Sequence, residues 1–159
     1  MTSTAFSELP LSPDFLANLE SLDYKAMTPI QAASLPVIMD GKDVKAQAKT
    51  GSGKTAAFGI GLLQKIKPEQ FHTQALVLCP TRELADQVSK ELRRLARSVH
   101  NIKILTLCGG TPIGPQFGSL EFPPHIAVGT PGRILKHCSK ESLKLDRVQT
   151  LVLDEADEM

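Results

Sequence analysis

The chain has 159 residues, 42% hydrophobic and 22% charged, with 18 Lys and Arg against 17 Asp and Glu. That balance is too apolar for a disordered polymer and ordinary for a folded domain of this length. The longest apolar run, Ala56 to Leu63, is too short to cross a bilayer, and residues 1–15 carry no Lys or Arg and no long apolar core, so they do not read as a secretory signal.

In chain order, Ser12-Pro13-Asp14 opens a short helical pattern through Phe15, Leu16, Leu19 and Leu22, with Ser12 as its cap. Thr28-Pro29 starts a second helix in the same way, and Pro36 is expected to kink or end it. After the Asp40-Gly41-Lys42 turn the pattern changes. Short apolar runs at Val44 to Ala48, Ala75 to Cys79, Ile102 to Cys108, His125 to Gly129 and Thr150 to Leu153 read as strands. A helical stretch from Lys54 to about Ile66 separates the first two, and Leu84, Val88, Leu92, Leu95 and Val99 fall at helical spacing between the second and third. Strands alternating with helices predict an α/β fold with a mostly parallel sheet flanked by helices. In such sheets ligands bind beyond the carboxyl ends of the strands, and the notable motifs here all follow a strand.

Cys79, Cys108 and Cys138 form no C-x-x-C pair; Cys79 and Cys108, each at the end of a β-like run, read as small buried hydrophobes, and the odd count points to a reducing compartment, which makes the cytoplasm the expected location. His72, His100, His125 and His137 are scattered and read as surface or turn residues. Residues 1–41 hold five acidic side chains and one basic one, whereas residues 42–159 hold seventeen basic and twelve acidic. The densest basic patch, Lys90, Arg93, Arg94, Arg97 and Lys103, reads as a solvated helix face with cations near the helix C-terminus.

Two motifs carry chemistry. Ala48-Lys49-Thr50-Gly51-Ser52-Gly53-Lys54-Thr55 fits the phosphate-loop pattern, with Ala48 in the first position, where Gly is usual. Gly51 and Gly53 let successive N–H groups turn inward at phosphate oxygens, the following helix adds its positive end, Lys54 can reach the terminal phosphates, and the Thr55 hydroxyl can ligate Mg2+. At the other end of the chain, Asp154 and Glu155 follow the apolar run Thr150 to Leu153. Asp154 would hold Mg2+ through its water shell and Glu155 would accept a proton from the attacking water.

Asp154-Glu155-Ala156-Asp157 spells DEAD, and with the phosphate loop the chain resembles the first RecA-like domain of the DEAD-box ATP-dependent RNA helicases over essentially its whole length. ALVLCPTRELADQVSKELRRLAR (75–97) and KILTLCGG (103–110) are similar to bacterial ribosome-assembly members of that family. The resemblance implies a Q motif at Tyr24 to Gln31, in which Gln31 reads the adenine edge, with Tyr24 and Thr28 beside it. Asp23 stands where the family usually has Gly. Phe6 is the upstream aromatic, either stacked on the base or anchoring the N-terminal segment. The resemblance also assigns Pro80, Thr81 and Arg82, the doublet Gly109-Gly110, and Thr130, Pro131, Gly132 and Arg133 to the backbone of a single RNA strand. Thr81 and Thr130 can cap the helices behind them, and contacts of this kind grip phosphates without reading sequence.

The reading is therefore an ATP- and Mg2+-using RNA helicase. Residues 1–41 form a flanking segment with the Q motif, and residues 42–159 a RecA-like domain that stops after the DEAD strand. The family's second RecA-like domain, and the strand expected between the phosphate-loop strand and the DEAD strand, do not occur in these residues. On this expectation the chain by itself neither unwinds RNA nor turns over ATP usefully, and the choice of structured ribosomal RNA belongs to a further C-terminal domain. A non-catalytic nucleotide- or RNA-binding module is the alternative.

Overall fold

The computed structural model describes residues 4–159. The chain divides into two compact units, one comprising residues up to Lys65 together with Glu91–His100, the other Ile66–Lys90 together with Asn101–Met159. Among the described residues no helix is long and apolar enough to cross a membrane.

The first unit is helical. In α1 (Pro13–Ser21) the Ser12 hydroxyl accepts the Phe15 N–H at 3.1 Å, and the helix buries Phe15 and Leu19. Helix α2 (Pro29–Met39) starts with a capping box: Gln31 N–H donates to Thr28 Oγ1 and Thr28 N–H donates to Gln31 Oε1. It runs past Pro36 to Met39 instead of stopping there. Proline removes only one intrahelical donor, and the Asp40 N–H still reaches the Pro36 carbonyl at 3.0 Å. Helix α3 (Lys54–Lys65) buries Ala56, Ala57, Ile60, Leu62 and Leu63, and its Gly61 lies against the Ile38 side chain of α2 where a Cβ would collide. Small residues thus let α2 and α3 approach closely.

The expected strand at Val44 to Ala48 does not form: residues 43–49 have no regular structure, and residues 41–47 are exposed. A strand exists only by pairing, and no strand pairs with this segment among the described residues. Its single β-branched residue, Val44, gives little local bias in compensation.

The second unit is built on a four-stranded, all-parallel sheet of order β2-β3-β1-β4, with β1 Ala75–Leu78, β2 Ile104–Leu107, β3 Ile126–Gly129 and β4 Thr150–Leu153. Leu78 pairs with Gly129 and Leu153, and Leu107 pairs with Gly129, so all four strands end in register. Helices α4 (Arg82–Leu95), α5 (Gly114–Ser119) and α6 (Pro131–Ser139) lie between strands in the chain, as parallel crossovers require. The first residues of α4 belong to this unit and its last five to the other. One core cluster unites Leu76, Leu107, Leu120, Ala127, Ile134 and Leu143. β4 pairs with β1 alone, and Leu151 and Leu153 are more than half exposed.

Two histidines expected at the surface are buried. His125 is 3% exposed, its Nδ1 accepting the Lys103 N–H at 2.9 Å and its Nε2 facing the Pro68 carbonyl at 2.9 Å. His137 is fully buried on α6. An imidazole with two satisfied nitrogens is tolerated in a core, and periodicity alone does not reveal such partners.

Cys79 and Cys108 are buried, as read from the sequence. Burial first, and then the nearby Asp154 carboxylate, push the Cys79 thiol up to about 12; burial first, and then Asp86, push Cys108 up to about 11. A thiol raised in the folded state supports folding below its unfolded value near 9, and that support is lost as pH rises toward about 12. Stability should therefore fall in thermal melts as pH is raised through this window. At about pH 8 alkylation followed by mass spectrometry should modify the partly exposed Cys138 well before Cys79 or Cys108.

Candidate functional site

The phosphate loop lies in the first unit. Gly51 and Gly53 have φ of +82° and +92°, the left-handed region that turns backbone N–H groups to one side. The Ser52 N–H closes the turn on the Lys49 carbonyl at 3.1 Å, and the Gly53 carbonyl accepts the Ala57 N–H at 3.1 Å, which begins α3. Lys54 and Thr55 form the first turn of that helix, both partly exposed, whereas Lys49 and Thr50 are exposed. The buried Ser52 Oγ has no partner within the protein. A buried hydroxyl left open in a loop of inward N–H groups suits a phosphate oxygen.

Gln31 is 1% exposed and braces this loop: its Nε2 donates to the Gly53 carbonyl at 3.1 Å while its Oε1 holds the Thr28 N–H at 3.0 Å. A Cβ at residue 53 would overlap the Gln31 amide and come within 2.9 Å of Thr28 Oγ1, so position 53 requires glycine for space as well as for φ. The amide retains one N–H and one lone pair for a further partner.

Upstream, Phe6 is 4% exposed and meets Tyr24 edge to face at 6.2 Å between ring centroids. The Tyr24 hydroxyl donates to the Glu91 carboxylate, and burial, followed by that hydrogen bond and charge, drives the phenol above its ordinary pKa. Phe6 is thus packed against Tyr24 within the first unit. Asp23 adopts φ of +67°, so the backbone keeps a glycine-like conformation at the position where the family usually has Gly.

The second unit carries the remaining residues. Because the four strands end in register, Pro80–Arg82, Gly109–Gly110, Thr130–Arg133 and Asp154–Glu155 all leave one end of the sheet. Thr81 Oγ1 accepts the Leu84 N–H at 3.2 Å and caps α4 as expected. Thr130 does not cap α6: its Oγ1 accepts the Gly109 N–H at 3.0 Å, tying the α6 loop to the glycine doublet. Arg82 Nη1 reaches the Gly110 carbonyl at 3.4 Å, so the three loops are knitted together. Asp154 is 9% exposed, with its N–H on the Leu78 carbonyl at 3.0 Å. Glu155 is exposed and left-handed at φ +50°, a conformation that a non-glycine residue adopts only at some cost.

Sequence reasoning missed Gln116 and His137. Gln116 sits on α5, a six-residue helix containing Gly114, Pro115 and Gly118 that no periodicity announces. Its Oε1 accepts from Arg133 Nη1 at 3.2 Å and from His137 Nε2 at 2.7 Å. Burial first, and then Arg133 and Lys136, lower the His137 pKa and keep the ring neutral. The basic residues Lys90, Arg93, Arg94 and Arg97 are exposed, with Arg94 paired to Glu91 at 2.8 Å, as a solvated helix face would be. Lys103 does not join them, since its Nζ donates to the Ser119 and Phe122 carbonyls.

Among the described residues no three His, Cys, Asp or Glu side chains gather. The Thr55 hydroxyl in the first unit and the Asp154 carboxylate in the second are each an oxygen donor of the type Mg2+ takes.

A phosphate loop opening a helix, and acidic and basic loops at the carboxyl end of a parallel sheet, define a nucleotide-binding α/β protein of the RecA-like class. The chain belongs to the DEAD/DEAH box helicase family, whose model matches residues 28–159. It is 65% identical over 157 residues to the ATP-dependent RNA helicase DbpA of Escherichia coli (strain K12), covering 98% of this chain and 34% of that protein. It is 48% identical over 156 residues to the ATP-dependent RNA helicase CshA of Listeria monocytogenes, covering 98% of this chain and 30% of that one. A DEAD box protein from the hyperthermophile Methanococcus jannaschii superposes with a TM-score of 0.92 at 41% identity, over 98% of this chain and 42% of that one. Saccharomyces cerevisiae Dbp5 bound to RNA and ADP BeF3 gives 0.87 at 29% identity, over 99% of this chain and 39% of that one. The chain thus spans about a third of the length of the curated relatives it matches.

Gly53→Ala should lower unfolding free energy by about 1–3 kcal/mol, through a strained φ and displacement of the Gln31 amide. It should also weaken ATP binding. Thermal melts with and without ATP check both effects.

Proposed function

We propose that the protein to which this chain belongs is an ATP-dependent RNA helicase, and that the chain supplies nucleotide- and RNA-binding residues of its first RecA-like half. Residues 1–41 act as a flanking segment with the Q motif, and residues 42–159 as part of the RecA-like domain. The observation that carries the reading is the knitting of the three strand-end loops by the Arg82–Gly110 and Thr130–Gly109 hydrogen bonds. These bonds hold Pro80, Thr81, Arg82, Gly109, Gly110, Thr130, Pro131, Gly132 and Arg133 as one preformed surface of N–H groups and guanidinium. Such a surface grips a phosphate backbone without reading bases.

On the nucleotide side, Ala48 to Gly53 wrap the phosphates, Lys54 counters the charge of the terminal phosphates, and Gln31, with Tyr24 and Thr28 beside it, offers its remaining amide valences to adenine. Phe6 supports this segment from beneath. Thr55 and Asp154 are the residues that would hold Mg2+, which would neutralise negative charge on the phosphates. Glu155 takes the proton from the attacking water. That Saccharomyces cerevisiae Dbp5 was solved with RNA and ADP BeF3 supports both ligand classes. The likeness of residues 75–97 and 103–110 to ribosome-assembly members of the family favours a structured ribosomal RNA target and a role in ribosome assembly, and the three cysteines without a pairing framework favour a cytoplasmic location. A second RecA-like domain completes the ATP site.

In the protein as its whole reading frame encodes it, Glu155→Gln should leave ATP affinity nearly unchanged and reduce RNA-stimulated ATP turnover by about 100-fold or more. Unchanged turnover would instead favour the non-catalytic binding module.

A further inference from the structure

The Gln116 amide lies behind the surface proposed to bind RNA, and its four hydrogen-bonding valences are all used. Oε1 accepts from Arg133 Nη1 at 3.2 Å and from His137 Nε2 at 2.7 Å; Nε2 donates to Thr111 Oγ1 at 3.2 Å and to the Cys108 carbonyl at 3.3 Å. The orientation follows from chemistry. A guanidinium only donates, so the amide oxygen must face Arg133 and the NH2 group must face the Cys108 carbonyl. His137 must then donate from Nε2, and its Nδ1 faces the Ser142 hydroxyl at 2.8 Å, whose one proton is shared with the His137 carbonyl at 3.0 Å. The buried imidazole, packed edge to face on Phe117 at 5.2 Å, is thereby fixed in one tautomer.

We propose that Gln116 is a positioning residue for RNA binding, holding the Arg133 guanidinium and the turn that carries Gly109 and Gly110 at one fixed separation. This inference rests on the RNA-site reading above. One amide bridges the loop after β2, through Cys108 and Thr111, and helix α6, through Arg133 and His137. The Thr130–Gly109 hydrogen bond spans the same two elements from the other side. Arg133 spends one N–H on a neutral amide and keeps its full charge and four further donors for phosphate. Glutamate at position 116 would pair with that guanidinium as a carboxylate and would remove one of the donors to the Cys108 carbonyl, leaving it the Thr111 hydroxyl at 3.0 Å.

The test uses the protein as its whole reading frame encodes it and a short single-stranded oligouridylate, with Kd read by fluorescence anisotropy over a salt series. Arg133→Ala should weaken binding about tenfold and make the slope of log Kd against log salt shallower by about 0.7, the loss of one phosphate contact on a single strand. Gln116→Ala should weaken binding several-fold in the wild-type background and leave it unchanged in the Arg133→Ala background. Gln116→Glu should make the salt slope shallower, as Arg133→Ala does. If the alanine variant does not fold, Gln116→Met, which keeps the length without polar atoms, takes its place in the cycle. A purely structural role would lower the melting temperature and weaken binding equally in both backgrounds, which would overturn the proposal. An Arg133→Ala protein with unaltered Kd and salt slope would overturn the RNA-site reading and this inference together. A normal Arg133→Ala effect with additive Gln116 effects would overturn only this inference.

Discussion

Parallel pairing in register brings Leu78, Leu107, Gly129 and Leu153 to a common end of the sheet, and the chemistry of the second unit depends on that constraint. Each strand end delivers a loop of different character to the same rim: Thr81 and Arg82 from β1, two glycines from β2, Thr130 and Arg133 from β3, and two carboxylates from β4. A slip of one residue in any pair would also reverse which side chains face the core. The packing of Leu76, Leu107, Ala127 and Ile134 in a single cluster opposes such a slip. Core packing and loop placement are therefore the same specification seen at two ends of each strand.

The rim is polar, and its polar groups are used in pairs. Thr130 forgoes its own helix cap to hold the Gly109 N–H, Arg82 holds the Gly110 carbonyl, and Gln116 holds Arg133. Each of these bonds joins two different segments of the rim and none joins a segment only to itself. Loops tied in this way lose less freedom when a ligand binds, which favours affinity through preorganisation. In the first unit Gln31 does the equivalent, linking the capping box of α2 to Gly53, the residue just before the phosphate-loop helix. A residue identified by resemblance as a base reader is thus also a structural brace, and its burial at 1% exposure reflects that second duty.

The helices are legible in the sequence because their caps are local: Ser12-Pro13 and Thr28-Pro29 announce α1 and α2, and the spacing of Leu84, Val88, Leu92 and Leu95 announces α4. All four strands of the sheet are legible from short apolar runs. The segment at Val44 to Ala48 is not a strand, because pairing is a long-range property that composition does not contain. Pro36 does not end α2, since it removes one helical donor and the hydrogen bonding continues through the Asp40 N–H. The phosphate loop and the Asp154–Glu155 pair stand out as motifs. Thr130's partner, the burial of His125 and His137, and the bridging amide of Gln116 depend on residues brought together only by the fold.

An RNA backbone surface formed by the strand-end loops of the second unit is open to direct test. The most direct measurement is photo-cross-linking of a single-stranded oligouridylate to the protein as its whole reading frame encodes it, followed by peptide mapping. Cross-links concentrated in the peptides carrying Pro80–Arg82, Gly109–Gly110 and Thr130–Arg133, and competed equally by oligonucleotides of other sequence, are the predicted result. Cross-links that avoid these three loops would contradict it.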